Sequence, residues 1–317
     1  MRLLKPARLQ PGDLVGIVAP GGHTSEAALA KAVANIESLG LRARLSDNIN
    51  YAYGNYAGTV EQRVEDLHAM FRDPEIKAVW AIRGGSGCIS LLEHIDYKLI
   101  RRHPKILIGY SDITCLHLAI LKQAGLVTFH GPVASSTFSE YVVTQLQNVL
   151  MTPHDTWTIA MSPENAAKAV DQPNYAIRTI HSGVATGPLI GGNLSMVAAL
   201  AGTPYAADFK DAILYLEDVN EEPYRIDRWM MQLQLSQGFR QAAAVMLGIF
   251  ENCEATDGDS ALTLDETIDQ HLLPLARPVV TGYSFGHIRN QLTIPVGLRA
   301  TLDTGRQTLT LLEPAVT

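Results

Sequence analysis

From residue 14 to residue 130 the chain alternates short apolar runs with stretches of helical period, and this alternation restricts the fold more than any other feature. Leu14-Val15-Gly16-Ile17-Val18-Ala19 is apolar over strand length and closes with Pro20-Gly21-Gly22, the pattern of a buried strand entering a loop. Glu26–Leu39 sets Leu29, Val33 and Ile36 along one face and stops at Gly40, which predicts a helix with a glycine at its C-terminus. Leu41–Ser46 reads as a second strand, and Thr59-x-x-Gln62 opens a helix to about Phe71 with a capping box. Ile76–Ile82 is a further strand running into Arg83-Gly84-Gly85-Ser86-Gly87, with a helix expected through Leu91 and Leu92. Lys105–Ile108 and Val127–Phe129 are strands, separated by a helix over Ile113–Gln123 that Gly125 closes. Such alternation predicts a parallel sheet covered by helices, with ligand sites beyond the carboxyl ends of its strands.

The character changes after residue 150. Pro153, Pro163 and Pro173 punctuate polar sequence, so 151–178 reads as a linker between an α/β domain at 1–150 and a β-rich domain at 179–317. The later domain has strand-like runs at Ala212–Leu216, Ala244–Phe250, Val279–Tyr283, Leu292–Val296 and Thr308–Leu312, interrupted by a helix over Ile226–Leu235.

Composition narrows the function classes. Hydrophobic residues make up 47% of the 317 and charged residues 18%, enough for buried cores and too apolar for a disordered chain. The net charge of −7 and the lack of a Lys/Arg run argue against nucleic acid or an anionic membrane as partner. Cys88, Cys115 and Cys253 are far apart and form no zinc spacing, which fits a reducing compartment and calls for no metal or other cofactor. The start lacks a long apolar segment, and apolar runs fall well short of the roughly 20 residues a membrane helix needs, so the expectation is a cytoplasmic protein.

One segment has the layout of a nucleophile turn. Ile106-Leu107-Ile108-Gly109-Tyr110-Ser111-Asp112-Ile113 passes from strand through a glycine turn into a helix, where amide N–H groups and the helix dipole favour a developing oxyanion. A helix N-cap role for Ser111 or Asp112 accounts for the same residue types. Gly282-Tyr283-Ser284-Phe285-Gly286 matches the G-x-S-x-G pattern literally, but a strand-like run rather than a helix follows it, so Ser284 is rejected. A serine nucleophile needs a base and an acid to orient it. His287 ends a glycine-bounded turn, His130 follows a strand and competes with it, and Glu217 and Asp218 end the run Ala212–Leu216. Pattern alone leaves Ser111, Glu217 and His287 as one of several sets.

Taken in order, several segments resemble the LD-carboxypeptidase family of serine peptidases. They are Leu9–Asp13 with Ile17–Pro20, Tyr56–Thr59, Arg83–Gly85, Gly109–Thr114, His130–Pro132, Gly191–Ser195 with Gly202–Pro204, Leu216–Val219 with Pro223–Arg228, and Phe285–His287. The resemblance implies an N-terminal parallel-sheet α/β domain, a smaller β-rich C-terminal domain, and an active site between them. It also implies a triad of Ser111, Glu217 and His287, with backbone amides of Gly85 and Asp112 holding the oxyanion. The implied reaction cleaves the amide between an L-centre and a terminal D-alanine in murein tetrapeptides. Dimers occur among similar enzymes, so a homodimer is expected. The family's glycine loop carries tyrosine and then arginine where this chain has Ser86 and Ser90. That departure bears on substrate, and it motivates a second reading: a related enzyme cleaving a peptide–nucleotide antibiotic or another acyl-amino acid conjugate. A third reading, from outside enzymology, is a small-molecule-binding protein that keeps the fold without catalysis.

Overall fold

The computed structural model describes residues 2–236, 238–256 and 262–317. The chain forms two compact units. The first runs through His154 and takes back Thr293–Gly297 and Pro314–Thr317; the second comprises Asp155–Leu292 and Leu298–Glu313.

The first unit is built on a sheet of β1 (Leu14–Val18), β2 (Arg42–Leu45), β3 (Ile76–Ala81), β4 (Ile106–Gly109) and β5 (Thr128–His130). These five pair in parallel in the order β5-β4-β3-β1-β2, and a late segment, Ile294–Val296, adds an antiparallel edge beside β5. All of β1 and β4 is buried, because helices cover both faces, so these strands read as continuous apolar runs rather than as alternation. The helix Val60–Arg72 starts at Thr59 with the expected capping box, formed in both directions. The helix Thr114–Ala124 ends at Gly125 in the left-handed conformation that glycine tolerates. The helix expected after the glycine loop is instead a short 3-10 turn, Cys88–Leu91.

Strand order reverses between β1 and β3, and this is where an open parallel sheet leaves a crevice outside its carboxyl edge. The loops leaving β1, β3 and β4 meet there. Gly22 N–H donates to Gly84 O at 3.0 Å, and a Cβ added to Gly84 would lie 2.8 Å from Ser111 Cβ.

The second unit holds an eight-stranded sheet. Continuing in chain order, its strands are β6 (Trp157–Ile159), β7 (Arg178–His181), β8 (Val184–Asn193), β9 (Ile213–Glu217), β10 (Ala244–Leu247) and β11 (Val279–Thr281), then β13 (Arg299–Asp303) and β14 (Thr308–Leu311), with β12 being the Ile294–Val296 edge of the first sheet. The order is β6-β14-β13-β8-β9-β10-β11-β7, with β8 to β11 parallel at its centre. The stretch 151–178, expected as a linker, holds β6 and a helix over Pro163–Lys168 before β7 begins. Gly191 explains why β8 and β9 lie so close: a Cβ there would sit 1.7 Å from Tyr215 O, so only glycine fits.

Candidate active site

Ser111 follows β4 on a turn that the rest of the unit forces into shape. Its φ is 65°, left-handed for a residue with a Cβ, a conformation that persists only where surrounding structure imposes it. The carbonyl of Gly109, two residues earlier, accepts from Gly131 N–H at 3.1 Å and lies 2.9 Å from His117 Nε2. Burial holds His117 neutral, pushing it down to about 3 against the help of the Gly109 bond, so it serves here as a hydrogen-bond donor. A side chain at Gly109 would collide with Ile113 Cγ1 at 2.9 Å, which keeps the strand-to-turn corner tight. A short 3-10 turn, Ser111–Ile113, leads into the helix Thr114–Ala124.

Neither Ser111 nor Asp112 acts as a helix cap. The N-cap position of the turn belongs to Tyr110, with no side-chain cap bond. The Asp112 carboxylate points instead at the glycine loop, where Oδ2 accepts from Cys88 N–H at 2.9 Å. Asp112 is 3% exposed, and burial raises its carboxyl above the ordinary range against the pull of that bond and of Arg63.

The glycine loop after β3 contains Gly85 at φ 102° and Gly87 at φ 116°, both in conformations that side chains rarely adopt. Gly85 packs on the β1 loop, since a Cβ there would lie 3.1 Å from Gly22 N. Ser86 is exposed, and the Ser90 hydroxyl donates to Gly87 O at 2.7 Å.

In the second unit Glu217 ends β9 with no exposed surface, and its Oε2 lies 2.8 Å from His287 Nδ1. The imidazole N–H donates and the carboxylate accepts. Gly286 permits this approach: a Cβ there, at φ 125°, would stand 3.2 Å from Glu217 Oε2 and 2.6 Å from Ile249 O. Ile249 N–H donates to Phe285 O at 2.9 Å, and Phe285 packs edge-on against Tyr215, so the segment before His287 is pinned beside β9. Burial works against a charged imidazole, but the charge and hydrogen bond of Glu217, aided by Asp218 and Glu251, outweigh it and raise His287 above its ordinary value.

Asp218 anchors the end of β9. Its Oδ1 accepts from Asn193 Nδ2 and Val219 N–H, both at 2.9 Å, and its Oδ2 from Ser195 N–H at 2.8 Å. Burial, then the neighbouring Glu217 charge, pushes Asp218 up to about 6.

Ser111, Gly85 and Asp112 therefore lie in the first unit, and Glu217 and His287 are joined in the second. His130, the competing base, is wholly buried with its ring edge-on to Tyr110. Ser284 is 2% exposed and accepts from Ser162 N–H, a structural role consistent with its rejection as nucleophile. The residue sequence reading missed is Arg63, a cation at 3% exposure on the helix Val60–Arg72. Nothing in a helical pattern marks one arginine as buried among several exposed polar residues. Among the described residues no group of three or more His, Cys, Asp or Glu is arranged to hold a metal ion, and no helix is long and apolar enough to cross a membrane.

Comparison with known proteins bears on the family to which the chain belongs. Residues 15–131 match the LD-carboxypeptidase N-terminal domain, and residues 186–302 match the LD-carboxypeptidase C-terminal domain. The chain is 36% identical over 309 residues to the probable murein peptide carboxypeptidase of Bacillus subtilis, covering 96% of this chain and 93% of that one. It is 33% identical over 304 residues to the murein tetrapeptide carboxypeptidase of Pseudomonas aeruginosa, covering 94% and 95%. Among solved structures, an MccF-like protein from Bacillus anthracis superposes with a TM-score of 0.82 at 30% identity, covering 98% of this chain and 99% of that one.

Proposed function

The chain belongs to the LD-carboxypeptidase family of serine peptidases, and from that premise we propose that it removes the terminal D-alanine of murein tetrapeptides through an acyl-enzyme on Ser111. Glu217 orients His287 through Nδ1, which makes Nε2 the proton-transfer atom. As Ser111 Oγ attacks the carbonyl carbon of the L-centre, His287 takes the hydroxyl proton, and the carbonyl oxygen becomes an oxyanion received by the Gly85 and Asp112 amides. The C–N bond then breaks, and His287 returns the proton to the departing amine of D-alanine. A water molecule, deprotonated by the same imidazole, hydrolyses the ester and restores the serine. Each amide donor contributes on the order of 10²–10³ in rate.

The observation that carries this reading is the buried Glu217–His287 pair, a carboxylate fixed on the imidazole nitrogen away from the reacting atom. The strained turn at Ser111 supports it from the first unit. Catalysis then requires Ser111 and His287 to act on the same substrate.

Likeness to the MccF-like protein, together with Ser86 and Ser90 where the family carries tyrosine and arginine, favours a second reading in which the amide cleaved belongs to a peptide–nucleotide antibiotic or another acyl-amino acid conjugate, so that the departing group is not D-alanine. Mass spectrometry of products from a murein tetrapeptide and from an adenylated peptide separates the two. D-alanine release by wild type and not by Ser111→Ala is expected. An intact tetrapeptide beside a hydrolysed adenylated peptide selects the second reading, and no hydrolysis or Ser111 labelling by any acyl substrate selects a non-catalytic binding protein. A cytoplasmic site of action is supported by three buried, unbridged cysteines. The homodimer rests on similar enzymes alone and is tested by sedimentation.

A further inference from the structure

The peptide bond between Gly87 and Cys88 is held at both of its polar ends. Its carbonyl accepts from Arg63 Nη1 at 3.0 Å, and its N–H donates to Asp112 Oδ2 at 2.9 Å. The described residues contain no cis peptide, so oxygen and hydrogen of this unit point in opposite directions. A cation therefore grips the negative end of the peptide dipole and a carboxylate the positive end. A flip of this plane breaks both bonds at once, together with those that the Ser90 hydroxyl and N–H donate to the same carbonyl at 2.7 and 3.2 Å.

Arg63 reaches further than this one carbonyl. Nη1 also donates to Pro20 O in the β1 loop at 2.8 Å, Nε to Thr59 O at 3.3 Å, and Nη2 to Ser90 Oγ at 3.4 Å. All four acceptors are neutral, and the guanidinium stacks over the Tyr56 ring at 5.1 Å. A desolvated guanidinium spent on backbone carbonyls is a costly way to fill space, whereas its planar fork suits fixing two loops at once. The loop it fixes has little stiffness of its own, since three of the four residues Gly84–Gly87 are glycine. Gly84 touches Ser111, and Gly85 carries one of the two amides assigned to the oxyanion.

We infer that Arg63 is a positioning residue for the oxyanion loop, acting with the Asp112 side chain through the Gly87–Cys88 peptide to aim the Gly85 amide. Asp112 thus serves twice: its amide faces the oxyanion while its carboxylate holds the loop that bears the other donor. The two donors are set by one network. This inference rests on the proposed roles of Ser111 and Gly85.

The test is the rate of Ser111 phosphonylation by a fluorophosphonate probe, followed by intact mass. The serine oxygen bonds to phosphorus as fluoride leaves and the serine proton passes to the base, and the phosphoryl oxygen occupies the oxyanion position. Arg63→Gln should lower the maximal labelling rate by about 10- to 100-fold, less than loss of a donor outright because the amide is misaimed rather than removed. Its half-saturating probe concentration should stay within about twofold, and Arg63→Lys should recover part of the lost rate because its charge still reaches a carbonyl. Ser90→Ala, which removes the hydroxyl donor to Gly87 O but leaves the Ser90 N–H bonded to it, should cost less than Arg63→Gln. Asp112→Ala should reproduce the Arg63→Gln loss and serves if that variant does not fold. A folded Arg63→Gln or Asp112→Ala protein labelled at the wild-type rate overturns the inference and leaves the catalytic reading standing. Wild type that resists the probe overturns the catalytic reading itself.

Discussion

Replacing Glu217 with glutamine should lower the rate plateau and also shift the acidic limb of the pH profile. The wild-type pair is buried: Glu217 has no exposed surface, the His287 side chain is 17% exposed, and they meet at 2.8 Å. In the proposed acylation the imidazole becomes a cation, and in Glu217→Gln it would do so with no charge on the adjacent residue. Leaving one partner of a buried pair uncompensated costs about 3–5 kcal/mol. A barrier raised by that amount slows the reaction on the order of 10²- to 10⁴-fold. The glutamine amide can also offer its NH₂ to Nδ1, which selects the wrong tautomer and pushes the loss toward the upper end. The pH dependence shifts as well. His287 works as a base only when neutral, and its proton affinity is raised by the Glu217 charge against the effect of burial. In wild type the acidic limb of kcat/KM should therefore lie above the ordinary histidine value. In Glu217→Gln the burial effect is left with weaker opposition, so the limb moves to lower pH while the plateau falls. Steady-state rates from pH 5 to 9 on the tetrapeptide measure both. A reduced plateau with an unmoved or higher limb would refute the assignment of Glu217 as the partner of the catalytic imidazole.

Other expectations follow from single contacts. Because Ser111 sits at φ 65°, Ser111→Gly should be more stable than Ser111→Ala by roughly 1 kcal/mol, with both expected to be inactive; equal melting temperatures would show that the turn stores no strain. Gly84→Ala places a methyl 2.8 Å from Ser111 Cβ and 3.1 Å from its Oγ, so activity should drop by about 10²-fold for an overpacking cost of about 1–3 kcal/mol, with circular dichroism unchanged. Asp218 keeps its proton to about pH 6 when folded, against an ordinary value of 3.8. The folded state then binds more protons than the unfolded chain between those values, so this group's contribution is greatest below about pH 4 and is lost as pH rises to about 6. Asp218→Asn should flatten the fall of melting temperature with pH across that window, and parallel profiles would refute the shift.

Much of the first unit was legible because helices cover both faces of its parallel strands and leave them uniformly apolar. β1, β3 and β4 fall within a residue of the runs Leu14–Ala19, Ile76–Ile82 and Lys105–Ile108, and Thr59 caps its helix as its spacing to Gln62 implies. The second unit hid more. β8 was not read as a strand because Gly187, Gly191 and Gly192 break its apolar pattern, although Gly191 is required by the approach of Tyr215 O. A helix over Leu264–Leu272 went unread despite a usable signal, the capping box of Thr263 and Glu266. The strand at Ile294–Val296 was foreseen, but not its return to the first sheet beside β5, since pairing across such separation leaves no local mark. At the site, residue types pointed to Ser111, Glu217 and His287 only as one set among several, and the ordered family segments narrowed them. The left-handed φ of Ser111 and the burial of Arg63 arise from packing and have no signature in spacing.

The proposed chemistry turns on a serine that carries the acyl group during turnover. Rapid quenching of wild type with murein tetrapeptide, followed by peptide mass mapping, should find Ser111 carrying the substrate less D-alanine, with no adduct in Ser111→Ala and far slower adduct formation in His287→Ala. Release of D-alanine by Ser111→Ala at the wild-type rate would contradict it.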